Sequence, residues 1–372
     1  MEQIFNTEEI KAQVDMEYRK FVNSIKNTNI LILGQTGVGK SSLLNQIFGE
    51  KLAKVSNVKP ETRGFHTFSS DKFPINIIDS EGYELENSAE FKTNLKEYVD
   101  DKFIKVSEQV HLAWYCINVS SSRVLPFDIE NIKFLVDVLK IPTAVVFTQC
   151  DLDDENGSTA SSLNDVIRSQ CKNRINTFQV SNLPNLKLDI EKLIEWSSNN
   201  ISDENVKAAF ILSQKVDLKV KFKQAEKYII GAAATAAGIG ATPIPVADSA
   251  ALLALQTVLA LKIFSIYGIR EEVGGIALNI LKARIISIVG KTLAGSLYKL
   301  IPGAGTIVGG LINATVASSL TYSLGYALSK LAEKLFMQII EGSFDMEIIK
   351  NIITEDNLDI FMEQFRSKKD NA

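Results

Sequence analysis

The segment Gly34–Ser41 constrains the fold more than any other part of the chain. It reads Gly-Gln-Thr-Gly-Val-Gly-Lys-Ser and matches the pattern G-x-x-x-x-G-K-[ST] in full. The apolar run Asn29–Leu33 precedes it, and a helical stretch that extends to Phe48 follows. Such a turn lets backbone N–H groups converge on phosphate oxygens, and the dipole of the following helix adds to the attraction. The pattern predicts a phosphate-binding loop made of Gly34, Gln35, Thr36, Gly37, Val38, Gly39, Lys40, Ser41 and Ser42.

Further buried-type apolar runs alternate with helical patterns over the first 200 residues. They are Phe73–Ile78, Leu112–Val119, Thr143–Phe147 and Asn176–Val180. Runs of this kind indicate an α/β domain with a mostly parallel, doubly wound sheet. Ligands bind beyond the carboxyl ends of the strands in such sheets. The remaining motifs follow these runs, which places them at the expected edge.

Residues in and after the phosphate-binding loop are expected to hold Mg²⁺ and the γ-phosphate. Lys40 should reach the β- and γ-phosphate oxygens, and the Ser41 hydroxyl should bind Mg²⁺. The segment Asp79–Gly82 fits D-x-x-G. Its aspartate would hold the metal through water, and the Gly82 N–H would sense the γ-phosphate.

The stretch Lys59–Gly64 contains proline and glycine without an apolar period, and it predicts a loop over the phosphates. Thr62 is the candidate metal ligand in this loop. Thr67 is the second choice because it is expected on the next strand. No spacing rule supports a catalytic role for the neighbouring Arg63 and His66, so they are interpreted as solvated or structural residues.

Guanine recognition is predicted for Thr148-Gln149-Cys150-Asp151, which follows the run Thr143–Phe147. Asp151 would accept hydrogen bonds from guanine groups that adenine lacks. Gln149 stands where the related pattern [NT]-K-x-D has lysine, so we expect GTP specificity with weaker affinity. The pair Ser181-Asn182 follows the last run and fits a loose motif whose backbone N–H approaches the guanine oxygen.

With these motifs in order, residues 29–200 resemble the TRAFAC-class GTPase domain of the Era, septin and immunity-related type. The resemblance implies a GTPase that binds GTP, GDP and Mg²⁺ and hydrolyses GTP. One departure is Tyr83, at the position where many small GTPases have a water-orienting glutamine. We therefore expect slow intrinsic hydrolysis that self-association or a partner accelerates.

From about Lys207 the composition becomes rich in alanine and glycine, which predicts an all-α hydrophobic helical domain. The run Thr242–Asp248 and the long apolar stretch to Gly268 resemble the bacterial YcjF-type family of unknown function. The predicted divisions are an N-terminal helix in 1–28 that packs on the helical domain, a GTPase domain in 29–202, a helical domain in 203–342, and an amphipathic helix with a polar tail in 343–372.

The helical domain leaves two functions open. In the first, GTP binding lets the domain contact or enter a membrane, or associate with other copies of the chain. In the second, the domain is a bundle in a soluble signalling GTPase and binds a protein partner. The uncharged stretch Leu300–Ser329 is long enough to span a bilayer, but prolines and glycines interrupt its start. Asp248 is expected to be an N-cap.

Charge and cysteine content narrow the expected partners and location. The net charge of −4 argues against nucleic acid as a partner. Cys116 lies in an apolar run, which favours a buried, reduced thiol and a cytoplasmic protein. Attachment to the inner membrane, peripheral or integral, remains open.

Overall fold

The chain forms two compact units in the computed structural model. The structure describes residues 7–49, 57–60, 65–70, 73–80, 88–154, 156–172, 174–183, 186, 188–241, 247–269, 287, 314–341 and 346–370. The first unit, Ile25–Asp217, contains most of the predicted GTPase domain and is called the GTPase unit below. The second, called the helical unit, combines Met1–Ser24 with Leu218–Ala372.

One sheet forms the centre of the GTPase unit. Its strands are β1 Thr28–Leu33, β2 Asn57–Pro60, β3 His66–Ser69, β4 Ile75–Asp79, β5 Leu112–Asn118, β6 Thr143–Thr148 and β7 Asn176–Gln179. Their order is β2-β3-β4-β1-β5-β6-β7. The five strands from β4 to β7 in this order run parallel, and β2 and β3 pair antiparallel with their neighbours. Every residue of β1 is buried, as expected when helices cover both faces of a sheet. The predicted mostly parallel, doubly wound sheet is confirmed.

The structure corrects the start of the predicted loop Lys59–Gly64, whose residues 61–64 lie outside the described residues. Lys59 and Pro60 end strand β2, whose register pairs Pro60 with His66 of β3. The sequence signal failed because an edge strand needs no apolar period, and proline is tolerated at an edge where no ladder donor is needed. Elsewhere the strand ends differ from the predicted runs by one or two residues.

The described helices are, in chain order, α1 Thr7–Ser24, α2 Lys40–Phe48, α3 Ser88–Lys102, α4 Pro126–Lys133, α5 Ser158–Gln170, α6 Ile190–Asn200, α7 Glu204–Ser213, α8 Leu218–Gly240, α9 Ala247–Ile266, α10 Ala314–Ile340, α11 Met346–Ile352 and α12 Glu355–Asp370. In the GTPase unit, Phe48 of α2 stacks on Trp114 of β5 with 6.1 Å between ring centroids. The Trp114 indole donates to Ser197 Oγ of α6 at 3.1 Å. These contacts fix the helix that follows the phosphate-binding loop against the sheet.

Helices α8, α9 and α10 form the centre of the helical unit. Helices α8 and α10 approach closely at Gly325, where an added Cβ would lie 2.7 Å from Ile229 Cγ1. The Gln256 amide donates to Thr321 Oγ1 at 3.0 Å, which joins α9 to α10. Lys221 is fully buried, and its ammonium donates to the Ile266 carbonyl at 2.9 Å.

Helix α1 belongs to the helical unit and packs against α9. Its Tyr18 hydroxyl lies 2.7 Å from Ser265 Oγ of α9. Phe21 makes an edge contact with Tyr228 of α8 at 5.5 Å between centroids. This helix lies within the segment 1–28 where the sequence predicts an N-terminal helix, and it ends at Ser24.

The structure bears on two expectations about the second half of the chain, the N-cap at Asp248 and the uncharged stretch Leu300–Ser329. Helix α9 already includes Ala247, so Asp248 lies within its first turn and is not the predicted N-cap. The first part of the stretch Leu300–Ser329, up to residue 313, lies outside the described residues. Within the described residues, no helix combines the length and apolar character needed to cross a bilayer.

Candidate functional site

The loop Gly34–Gly39 passes so close to the end of β5 that it requires glycine. Gly34 has φ +136°, and a Cβ there would lie 2.3 Å from the Cys116 carbonyl oxygen. Gly39 has φ +96° and precedes the first residue of α2, which is Lys40. No L side chain adopts these conformations without strain. The loop therefore exposes the side chains of Gln35 and Thr36 while its backbone follows the sheet edge.

The Lys40 side chain folds back over this loop. Its ammonium donates to the Gly34 carbonyl at 2.9 Å and to the Gln35 carbonyl at 3.3 Å. It also lies 3.9 Å from Asp79 Oδ1. Asp79 reaches this point because β4 pairs with β1 in a register that sets Asp79 beside Ile32. A lysine and a carboxylate thus meet at the loop although they are far apart in the chain.

Oxygen groups suited to Mg²⁺ are present at the same edge. Ser41 and Ser42 are exposed in the first turn of α2. The hydroxyl of Ser41 and the carboxylate of Asp79 are hard oxygen ligands of the type that Mg²⁺ prefers. The donor set therefore fits a magnesium ion accompanied by phosphate.

The segment after β6 contacts the same loop directly. The Thr148 hydroxyl donates to the Val38 carbonyl. Gln149 has φ +56°, and its amide nitrogen donates to the Gly37 carbonyl at 3.4 Å. The structure thus joins the predicted base-reading segment to the predicted phosphate loop, and a neutral amide makes the second contact.

Asp151 is oriented by a hydroxyl from the last loop of the sheet. Ser181 Oγ donates to Asp151 Oδ1 at 2.7 Å, and it accepts from the Leu183 N–H at 3.0 Å. The Gln46 amide of α2 donates to the Ser181 carbonyl at 2.9 Å. Sequence reasoning missed Gln46, since it lies in no motif and only its position on α2 reveals the contact.

The other predicted residues fall into two groups. Asn182 is exposed beside Ser181. Thr67 lies on β3 as expected, buried, with its hydroxyl 3.3 Å from the Tyr98 hydroxyl. The residues of the two phosphate-sensing loops lie outside the described residues, and these are Thr62, Arg63, Gly82 and Tyr83.

The cysteine beneath the loop is not reactive. Cys116 is buried, and burial raises the pKa of its thiol to about 12. Cys150, between Gln149 and Asp151, is half-buried, and burial likewise raises its pKa to about 12. All three cysteines are free, which agrees with the expected reduced state.

Comparison with known proteins identifies the family. Residues 29–149 match the family described as 50S ribosome-binding GTPase. The "Probable GTP-binding protein EngB" of Campylobacter jejuni (strain RM1221) is 30% identical over 175 residues, which covers 44% of this chain and 81% of that protein. The chain belongs to this family of P-loop GTPases. Its first half is a GTP-binding GTPase domain.

Other relatives of this GTPase differ in how much of their length is matched. The "Probable GTP-binding protein EngB" of Aquifex aeolicus is 30% identical over 123 residues, 33% of this chain and 66% of that protein. The "tRNA modification GTPase MnmE" of Mesoplasma florum is 26% identical over 223 residues, 58% of this chain and 45% of that protein. The chain spans less than two thirds of both. A crystal structure of a probable GTP-binding protein engB is 17% identical, covers 47% of this chain and 98% of that chain, and has a TM-score of 0.34.

Proposed function

We propose that this GTPase is a switch that hydrolyses GTP to GDP and phosphate with Mg²⁺, and that its nucleotide state controls membrane association or self-assembly through the helical unit. The observation that carries the nucleotide part is the convergence of Lys40, Asp79, Thr148 and Gln149 on one glycine loop. These residues come from two strand ends, those of β4 and β6, and from the start of helix α2. Such convergence supports a common ligand at this edge.

Each residue at the phosphate end has a separate part in this proposal. The backbone from Gly34 to Gly39 surrounds the phosphates, and Lys40 leaves its carbonyl contacts to bind their oxygens. Ser41, Thr62 and Asp79 would hold Mg²⁺, and the Gly82 N–H would contact the γ-phosphate. Bound Mg²⁺ would neutralise charge on the β- and γ-phosphates.

The base end of the proposed site contains Thr148, Gln149, Asp151, Ser181 and Asn182. Asp151 accepts from the guanine N1 and N2 groups, and the Ser181 hydroxyl keeps its carboxylate in position. Gln149 takes the position of the lysine in the related motif. Its contact with Gly37 supports the reading that the side chain joins the base loop to the phosphate loop without adding a charge.

Slow intrinsic hydrolysis is part of the proposal. Tyr83 stands at the position of a water-orienting glutamine, and a phenol cannot position the attacking water as an amide does. A partner or a second copy would then supply the missing group.

The helical unit is proposed to be the output of the switch, and its resemblance to the YcjF-type family supports a link to membranes. Large apolar side chains are exposed on its helices, and they are Met16, Ile230, Met337, Ile340 and Ile360, each at least 40% exposed. Apolar side chains exposed in this way are available to lipid or to another protein. The alternative is a signalling GTPase whose helical unit binds a protein partner.

Nucleotide titrations of the full chain test the first part. We expect GTP and GDP to bind far more tightly than ATP in the presence of Mg²⁺, because Asp151 accepts from groups that adenine lacks. Equal affinity for GTP and ATP would overturn the guanine assignment.

Liposome flotation separates the two outputs. The full chain is mixed with phosphatidylethanolamine–phosphatidylglycerol vesicles in the presence of GTP, GDP or neither. The membrane proposal expects more floated protein with GTP than with GDP. If the protein fails to float in all three states and does not assemble with GTP, the alternative of a protein partner is favoured.

A further inference from the structure

A glutamine on helix α2, outside every nucleotide motif, reaches the loop that follows β7. Helix α2 begins at Lys40 of the phosphate loop, and Gln46 lies on the same helix. The helical rise of about 1.5 Å per residue separates the two by about 9 Å along the axis. The Gln46 amide nitrogen donates to the Ser181 carbonyl at 2.9 Å. This side chain therefore joins the helix of the phosphate loop to the base end of the proposed site.

Contacts at both ends hold α2 in place. Before its start, the Val38 carbonyl accepts from the Thr148 hydroxyl at the end of β6. Near its end, the Ile47 carbonyl accepts from the Lys215 N–H at 2.7 Å. A helix held in this way presents Gln46 at a defined position.

The segment around Ser181 is held from two sides. The Val180 carbonyl accepts from the Cys150 N–H at 3.1 Å, which ties the segment to the loop after β6. Gln46 of α2 binds the next carbonyl, that of Ser181. Ser181 is only 2% exposed, and a buried carbonyl needs a donor. Loss of the Gln46 amide would therefore favour a shift of this segment towards another donor.

Packing alone does not explain an amide at this position. Within the described residues, Gln46 Oε1 is shielded from solvent and accepts no hydrogen bond. Burying a polar atom without a partner is unfavourable, and an apolar side chain of the same size would avoid it. The bond that the amide nitrogen donates to Ser181 gives the amide a role that an apolar side chain lacks.

We infer that Gln46 is a positioning residue for guanine recognition, which acts through Ser181 on Asp151. The inference rests on the proposed GTP switch. Gln46 holds the Ser181 backbone, and the Ser181 hydroxyl donates to Asp151 Oδ1 at 2.7 Å. The carboxylate would accept from the N1 and N2 groups of guanine, and hydrogen bonds weaken steeply when they are misaligned. The position of helix α2 therefore sets how well Asp151 distinguishes guanine.

Competition titrations of the full chain with GTP and inosine triphosphate test this assignment. Inosine triphosphate lacks the 2-amino group of guanine, so the ratio of the two affinities reports the N2 contact with Asp151. The wild type should prefer GTP by about tenfold or more, as expected for a hydrogen bond to a charged acceptor.

Two variants remove the donor of Gln46 in different ways. Gln46→Ala should reduce the preference for GTP by about threefold or more. Gln46→Met, which keeps the approximate size of the side chain but has no donor, should reduce it similarly. Gln170→Ala changes an exposed glutamine at the end of α5 and is the matched control, which should keep the wild-type preference.

The same change in a Ser181→Ala background separates positioning from a general loss of stability. The hydroxyl that links Gln46 to Asp151 is absent there, so Gln46→Ala should reduce the preference no further, as residues in one network are not additive. A residue needed only for stability would lower the Tm and leave the preference unchanged.

Two results would overturn the assignment and leave the GTP switch in place. One is a wild-type preference for GTP over inosine triphosphate in both Gln46→Ala and Gln46→Met. The other is an equally large further loss from Gln46→Ala in the Ser181→Ala background. If the wild type itself binds both nucleotides equally, Asp151 does not recognise the guanine 2-amino group, and the proposed function fails at its base end together with this inference.

Discussion

The two units differ in where their long-range polar contacts serve a candidate site. In the GTPase unit two such pairs lie where strands end, Lys40 with Asp79 and Ser181 with Asp151. In the helical unit they are buried between helices. Lys221, Gln256 and Thr321 are each 0% exposed, and two hydrogen bonds tie them across helix pairs.

This difference distinguishes polar groups that can bind a ligand from polar groups that hold helices together. Polar groups at the rim of a sheet keep part of their hydration, so they can exchange a protein contact for a ligand. Buried polar groups must keep their partners, because an unpaired one costs about 1–3 kcal/mol. We therefore expect substitutions at the sheet rim to change nucleotide affinity, and substitutions between the helices to change stability.

The largest expected effect is on nucleotide binding in Lys40→Ala. Loss of a charged contact to the phosphates should cost about 2 kcal/mol or more, which is about 30-fold or more in Kd for GTP. Fluorescent-nucleotide titration measures it, and thermal unfolding of the helices should not change. Lys92→Ala is the control, since Lys92 pairs with Glu130 on the surface. Near-normal GTP affinity in Lys40→Ala would overturn the site assignment.

Gly325→Ala should lower the stability of the helical unit and leave nucleotide affinity unchanged. The added Cβ would lie 2.7 Å from Ile229 Cγ1, so we expect a loss of about 1–3 kcal/mol of stability. Gly231→Ala on α8 is the matched control, because nothing lies within 4 Å of its added Cβ. That change should stabilise the helix by about 0.5–1 kcal/mol.

The tryptophans allow the two units to be followed separately in this experiment. The chain has two, Trp114 and Trp196, and both lie in the GTPase unit. Circular dichroism reports helices in both units. A destabilisation that appears in circular dichroism but not in tryptophan fluorescence, with unchanged GTP affinity, is the expected result. An equally stable Gly325→Ala would show that these helices are not closely packed.

Ser181→Ala should have a smaller effect at the sheet rim. It removes a hydrogen bond to a carboxylate, worth about 1.5 kcal/mol, and Kd should rise about tenfold. GTP and GDP should lose affinity equally, because the change lies at the base and not at the γ-phosphate. Ser162→Ala, which removes an exposed hydroxyl of α5, is the control. A loss confined to GTP would contradict this placement of Ser181.

The smallest expected effect is on the pH dependence of stability. It comes from a histidine at the edge of the sheet opposite the phosphate loop. The Asn29 N–H donates to His111 Nδ1 at 2.9 Å, which leaves the proton on Nε2 to donate to the Val106 carbonyl at 2.7 Å. Burial, the largest cause, lowers the pKa of His111 below its ordinary value. The neutral ring is thus the form that the fold holds.

The sign of the pH dependence follows from this lowered pKa. The unfolded chain binds the proton more readily, so His111 contributes stability that is complete above its ordinary pKa and lost as pH falls through that value towards the folded pKa. Urea unfolding followed by tryptophan fluorescence should show a shallower decline on acidification in His111→Gln than in the wild type. Identical slopes would contradict the role of the neutral ring.

Much of the GTPase unit was predictable because its signals are local. The eight residues Gly34–Ser41 specify their own turn, and buried strands such as Thr143–Thr148 are continuous apolar runs. The edge strand Asn57–Pro60 was missed because its structure comes from pairing with β3 rather than from its own residues. Gln46 was missed because nothing in its neighbourhood distinguishes it from any polar residue on a helix.

By itself, the sequence determined the family, the phosphate loop and the helical character of the second half, since each depends on residues close together in the chain. Only the tertiary structure decided that Thr148 and Gln149 contact the phosphate loop, and that Gly325 leaves room for the Ile229 side chain. These contacts join segments that are distant in sequence. Strand order, register and helix packing create these contacts, and no local sequence pattern encodes that arrangement.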